Sequence, residues 1–257
     1  MKRYGPHLFV AGALAVVWLT GAGAALRTAL EDVRPGWFQR DATKEVVVIA
    51  IDAPSLRQIG YWPWPRSLHA ELIDKLLAAG AGDIAFDIDL SSPSDKAADA
   101  AFLDALNRAG GSVLLPAFKQ VVRDNEGKNT DFVNRPLASF ADKAWTTLVN
   151  VIAEPDGAVR RYPYGGRLDD SEVPSMAALL AGGRSIGEGS FWLDFSIRAD
   201  TIPVVSYVDV FRGESAALAQ FKGKKVIVGG TALELGDRFV LPKGRIMSGP
   251  VLQALAA

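Results

Sequence analysis

No cysteine occurs among the 257 residues. Disulfide frameworks, thiolate nucleophiles and cysteine zinc sites are therefore excluded, and the redox compartment is left open. Histidine is almost as scarce, with only His7 and His69, so a zinc centre built from histidines is not available. Neither sign of charge dominates. The 28 basic and 29 acidic residues provide no broad attraction to nucleic acid or anionic lipid, and nucleic acid is not an expected partner. Disorder is also disfavoured, because 49% hydrophobic and 22% charged residues is an ordinary globular composition. A chain of this length buries a core without covalent staples, and one large α/β domain is expected over two small ones.

The longest uncharged run spans residues 8–26, directly after Lys2 and Arg3. At about 1.5 Å per residue it is long enough to cross most of a bilayer, with the basic end held in the cytoplasm. Two readings compete: a retained anchor, or a cleaved signal peptide with Ala22, Gly23 and Ala24 as its processing site. A buried soluble helix is a third, disfavoured by the lack of a polar face. The anchor is expected, because the run exceeds the usual signal core of roughly 7–15 residues. The expected organisation is a cytoplasmic tail at 1–7, an anchor at 8–27, a linker with Pro35 and Gly36 at 28–44, and an extracytoplasmic domain at 45–257.

From residue 45 the pattern turns to buried strands and amphipathic helices. Residues 45–52 carry VVVIAI closed by an acid, the continuous apolar run of a strand buried on both faces. A helical turn is expected at 54–59, then a helix from Pro65 with Leu68, Leu72, Ile73, Leu76 and Leu77 at helical spacing, ended by Gly80 and Gly82. Residues 83–90 form a second strand, 95–109 a helix and 112–117 a third strand, so the first half reads as βαβαβ. Beyond the polar stretch 124–130, residues 145–152 and 158–162 are expected to form a hairpin about Pro155-Asp156-Gly157. A helix at 174–181, a buried strand at 226–230 and a helix beginning at 248 complete an α/β fold with a mostly parallel central sheet.

Chemistry-bearing side chains gather at the expected strand ends. Asp52 ends the first strand, and Asp87 and Asp89 end the second; adjacent parallel strands would put all three on the rim where open α/β sheets bind ligands. The competing reading is that these acids cap helices, bond loop amides, or pair with Arg66 or Arg238. Which metal, if any, such a rim would take is undetermined. The run Tyr61-Trp62-Pro63-Trp64-Pro65 supplies either a stacking wall for a flat ligand, with Arg66 as an anion clamp, or a rigid packed corner. Packing is favoured, and His69 has a hydrogen-bonded helix position as its default role. Gly183-Arg184-Ser185-Ile186-Gly187 matches the G-x-S-x-G pattern of serine hydrolases, but a helix precedes it and no histidine follows, so a helix-ending turn is expected. Gly229-Gly230-Thr231 lacks the lysine and spacing of a phosphate loop and reads as a tight turn with close packing.

One resemblance covers most of residues 45–255. The stretch IDAPSLRQIGYWPWPRSLHAELIDKLLAAGAGDIAFDIDLSSPS resembles the opening of the second CHASE family, extracellular sensors associated with cyclases and histidine kinases. VNVIAEPDGAVRR, PSMAALL and FKGKKVIVGGTALELGDRF are similar to that family's later blocks, in the same order. The most specific elements are Trp62-Pro63-Trp64-Pro65-Arg66 and Gly236-Asp237-Arg238-Phe239. Ala53, where the family often carries a second acid, and Ser91-Ser92 depart from the pattern.

The resemblance implies a membrane anchor, an extracytoplasmic α/β sensor, further transmembrane helices and a cytoplasmic output such as a nucleotide cyclase, cyclic di-GMP enzyme or histidine kinase. No GGDEF, EAL, kinase or P-loop motif is present, so no catalysis and no cofactor is expected in this chain. The expected setting is the bacterial inner membrane, with a small-molecule or protein stimulus and a possible homodimer. A free-standing tethered binding protein or hydrolase is the alternative. Candidate ligand-binding residues are Asp52, Trp64, Arg66, His69, Asp87, Asp89, Asp237 and Arg238.

Overall fold

The computed structural model describes residues 38–123, 127, 129–169, 171–183 and 189–257. The expected anchor at 8–27 and His7 lie outside the described residues, as do residues 184–187 of the G-x-S-x-G motif and most of the polar stretch 124–130.

The first strand, β1 (Val46–Ile51), runs into α1 (Ala53–Ile59). Then follow α2 (Arg66–Ala78), β2 (Ile84–Asp87), α3 (Lys96–Ala109), β3 (Val113–Arg123), β4 (Asn129–Asn134) and β5 (Trp145–Leu148). The second half supplies α4 (Met176–Leu180), β6 (Val204–Ser206), α5 (Tyr207–Phe211), β7 (Lys225–Gly230), β8 (Arg238–Leu241), β9 (Arg245–Ser248) and α6 (Gly249–Ala256). Local chemistry sets many boundaries. Asp95 caps α3 by accepting from the amides of Ala97 and Ala98, and Gly110 ends it in the left-handed conformation (φ 59°).

The central sheet has seven strands. Six are parallel in the order β6-β1-β7-β2-β3-β5, and β4 pairs antiparallel with the far half of β3. Helices cover both faces. Val47, Ile49 and Ile51 pack with Leu72, Ile73, Leu76, Phe102 and Leu106 on one side. Val48, Ala85, Leu114 and Ile227 face α4 and α6 on the other. Burial on both faces is why the central strands read as unbroken apolar runs.

Two expectations about neighbours are corrected. β1 and β2 are not adjacent, because β7 enters from late in the chain and pairs with both. β5 is not half of a hairpin: Trp145–Leu148 joins the sheet parallel to β3. Only the turn survives, with Gly157 donating to Glu154 O and a single bridge between Ile152 and Arg161. The antiparallel pairs outside the central sheet lie elsewhere, at Arg161–Pro163 with Ser190–Trp192, at Gly165–Leu168 with Ser171–Pro174 and at β8 with β9. The second strand is also shorter than expected, stopping at Asp87. Among the described residues no helix is long and apolar enough to cross a membrane.

Candidate ligand cleft

The carboxyl ends of β2 and β7, the middle of β3 and the chain leaving β5 enclose a cleft of about 520 Å³, the size range of small-molecule sites. Asp87, Ile88 and Asp89 enter it from the end of β2, and Phe118, Lys119 and Gln120 from the middle of β3. Asn150 and Val151 follow β5, Asp237 and Phe239 lie at the start of β8, and Gln253 comes from α6. Trp62 closes one side.

Glycines bring these pieces together. Gly229 sits opposite Asp87 in the β7–β2 register. A Cβ there would lie 2.5 Å from Pro250 of α6 and 3.1 Å from the Asp87 Cβ. The glycine pair is thus strand backbone that admits close packing, and the tight turn expected from its sequence is absent. Gly249, the first residue of α6, has the same role: a Cβ on it would meet Asp237 Oδ2 at 2.0 Å. Asp237 therefore lies directly against the start of α6.

The acids at the cleft floor are electrostatically unusual. Asp87 touches solvent at the cleft yet lies deep in the fold, and burial first, then the nearby Asp237 charge, pushes its carboxyl up to about 8. Burial also raises Asp237, to about 6, against the opposing influence of Arg238. The order is consistent: Asp237 ionises while Asp87 is still neutral, and its charge then helps to hold the proton on Asp87. The Asp87 carboxyl has no hydrogen-bond partner among the described residues. Tyr162, raised by burial and then by Asp87, donates its hydroxyl to Gln253 Oε1. Asn150 clamps the cleft wall, accepting from Lys119 N at 2.7 Å and donating to Lys119 O at 2.8 Å.

Of the eight sequence candidates, the structure brings Asp87, Asp89 and Asp237 to this cleft. Asp89 is exposed and accepts from the Ser91 amide at 2.8 Å. Asp52 is elsewhere. It caps α1, its Oδ1 accepting from the Ser55 amide at 2.9 Å, the Ser55 hydroxyl at 2.6 Å and Ser206 at 2.9 Å. The rim expected from Asp52, Asp87 and Asp89 does not assemble, because β7 separates the first acid from the other two. Among the described residues no group of three or more metal-ligating side chains could hold an ion.

Trp64, Arg66 and His69 flank a second cleft, with Trp62, Ile88 and Asp89 common to both. Their bonds are satisfied within the protein. Buried Trp64 donates to Gly60 O at 2.9 Å and packs on Tyr207. Arg66 bonds Asp99 at 2.7 Å and the Ser92 carbonyl, and its guanidinium lies over Phe140. His69 Nδ1 is 3.1 Å from the Tyr207 hydroxyl. Burial, with the Arg66 charge adding, holds the ring down at about 3, so it stays neutral. Arg238 is exposed and donates to Thr231 O at 3.0 Å.

Sequence reasoning missed Lys119, Asn150, Tyr162 and Gln253. For Asn150 and Gln253 a signal existed: each is a lone polar residue in an otherwise apolar run, LVNVIA and GPVLQALA, and such residues bury only with partners.

Fold and cleft together define an open-sheet α/β domain with helices on both faces and a carboxyl-floored site at the strands' carboxyl rim, the usual ligand edge of such sheets. The CHASE2 domain family matches residues 9–257, and the chain belongs to that family. CHASE2 domains are extracellular sensory domains of signalling proteins. No curated protein and no solved structure matches the chain.

Proposed function

We propose that this chain is the extracytoplasmic sensory part of a bacterial inner-membrane receptor, held by an anchor at residues 8–27. It binds its stimulus in the Asp87–Asp237 cleft and passes occupancy on through α6. It performs no chemistry itself; a cyclase, cyclic di-GMP enzyme or histidine kinase supplies the output, working as a pair. The observation that carries this reading is that α6 is a wall of the cleft: Gln253 lines it, and Asp237 rests on Gly249. A ligand that touches Asp237 or Gln253 therefore favours one placement of the helix over another, which is the physical requirement for transmission.

The location is tested by fusing alkaline phosphatase, and separately green fluorescent protein, after Ala257 and expressing each in a Gram-negative host. An active phosphatase and a dark fluorescent fusion are expected, because the phosphatase matures only outside the cytoplasm. A fluorescent fusion with inactive phosphatase would put the domain in the cytoplasm and end the sensor reading in this form.

A further inference from the structure

We infer that the cleft takes a small organic ammonium ion carried on a flat apolar body. This rests on the cleft being the stimulus site, and deepens it to a chemical class. Three observations converge. The first is an open acceptor: the half-buried Asp87 carboxyl lines the cleft and has no protein hydrogen-bond partner among the described residues, so a ligand in the cleft can bond it. The second is that no basic side chain forms an ion pair with either acid among the described residues, the Arg238 charge only partly offsetting the effect of burial on Asp237. Lys119 lines the same cleft but forms no ion pair with Asp87 or Asp237, and Arg238 turns outward to Thr231 O. The third is the wall. Trp62, Phe118 and Phe239 surround the acids, and aromatic faces beside carboxylates are the combination that attracts a cation attached to an apolar group.

A ligand ammonium supplies the N–H donors that Asp87 lacks and the positive charge that two neighbouring carboxylates require to ionise together. A neutral ligand supplies no charge, and an anion meets repulsion from Asp237. The charged and titratable groups facing Asp87 are Asp237 beside α6, Tyr162, Lys119 on β3 and Asp89 at the end of its own strand. Near neutral pH, Asp237 is ionised and Asp87 holds its proton. Binding an already protonated amine therefore expels the Asp87 proton into the buffer, at most about one per site.

The test uses the full chain in detergent, with phenethylamine and tryptamine as probes and phenethyl alcohol as the neutral counterpart. Titration calorimetry is run at neutral pH in two buffers of different ionisation enthalpy. Both amines are expected to bind, the alcohol at least about tenfold more weakly, with a buffer-dependent enthalpy that reports proton release. Asp87→Asn should lose the preference for amines and the buffer dependence together. Asn matches the neutral acid in shape, and a cooperative melt at or above the parent temperature shows that it folds; Asp237→Asn, checked in the same way, is expected to weaken amine binding as well. Binding of amine and alcohol with equal affinity, or amine binding unaffected by Asp87→Asn, overturns the ammonium assignment while leaving the cleft a ligand site. No amine binding at millimolar concentration overturns it too. The topology fusions are independent of all these outcomes.

Discussion

Burial acts on Asp87 and His69 in opposite directions, because it disfavours charge and one group is charged when deprotonated and the other when protonated. The unfolded chain titrates these residues near 3.8 and 6.5. Folded Asp87 keeps its proton up to about 8, so its contribution is full below the unfolded value and is lost as pH rises, by at most about 1.4 kcal/mol per pH unit. Asp237 adds the same sign up to about 6. His69 is reversed: its folded value is near 3, so its contribution is present above the unfolded value and is lost as pH falls. With two acids against one imidazole, stability should fall as pH rises from 4 to 6, and fall again from 6.5 to 8 on Asp87 alone. In the double variant Asp87→Asn/Asp237→Asn only His69 is left, and stability should instead decline on acidification below 6.5. Urea midpoints across this range decide it; an unchanged sign between pH 4 and 6 would show that the two acids are not the groups responsible.

Helix α6 is set against the sheet by two residues with no side chain. Gly229 leaves room for Pro250, and Gly249 leaves room for the Asp237 carboxylate. Gly249→Ala would place a methyl group 2.0 Å from Asp237 Oδ2, so the acid or the helix must move. The expected cost is about 1–3 kcal/mol, as for overpacking elsewhere, read as a lower urea midpoint. Since the collision is with one side chain, adding Asp237→Ala should recover much of the loss, and the pair should be clearly non-additive. Strict additivity would mean that the two do not touch. The contact also gives α6 its sensitivity: with Gly249 pressed on Asp237, a movement of that cleft residue bears directly on the start of the helix.

Across the whole molecule, the late strand β7 holds the early strands together. It pairs with β1 at six positions and with β2 at four; without it, the first two strands have no contact through backbone bonds. A chain ending at Gln220 should therefore not fold, even though it keeps every element of the βαβαβ half. The expected result is no cooperative thermal transition and no near-ultraviolet circular dichroism. A cooperative melt in that fragment would contradict the insertion of β7 between β1 and β2. The same topology explains why the first half cannot be treated as a self-contained unit: its buried strand edges are closed by residues more than a hundred positions away, and unpaired buried backbone groups are costly.

The sequence by itself determined what depends on near neighbours. The apolar runs of β1 and β7, the helical spacing from Leu68 to Leu77 and the helix beginning near Asp95 each act over one element, so they were legible, as were the excluded thiol chemistry and the resemblance carried by Trp62–Arg66 and Gly236–Phe239. What tertiary structure decided was adjacency. Asp52 and Asp87 look equivalent in sequence, each an acid at the end of an apolar strand, yet β7 parts them and one becomes a satisfied cap while the other floors the cleft. Asp237 and Gln253 reach that floor through long-range packing against Gly249 and Tyr162, and no local pattern encodes which distant side chain fills a given space, because close packing is a property of the assembled fold.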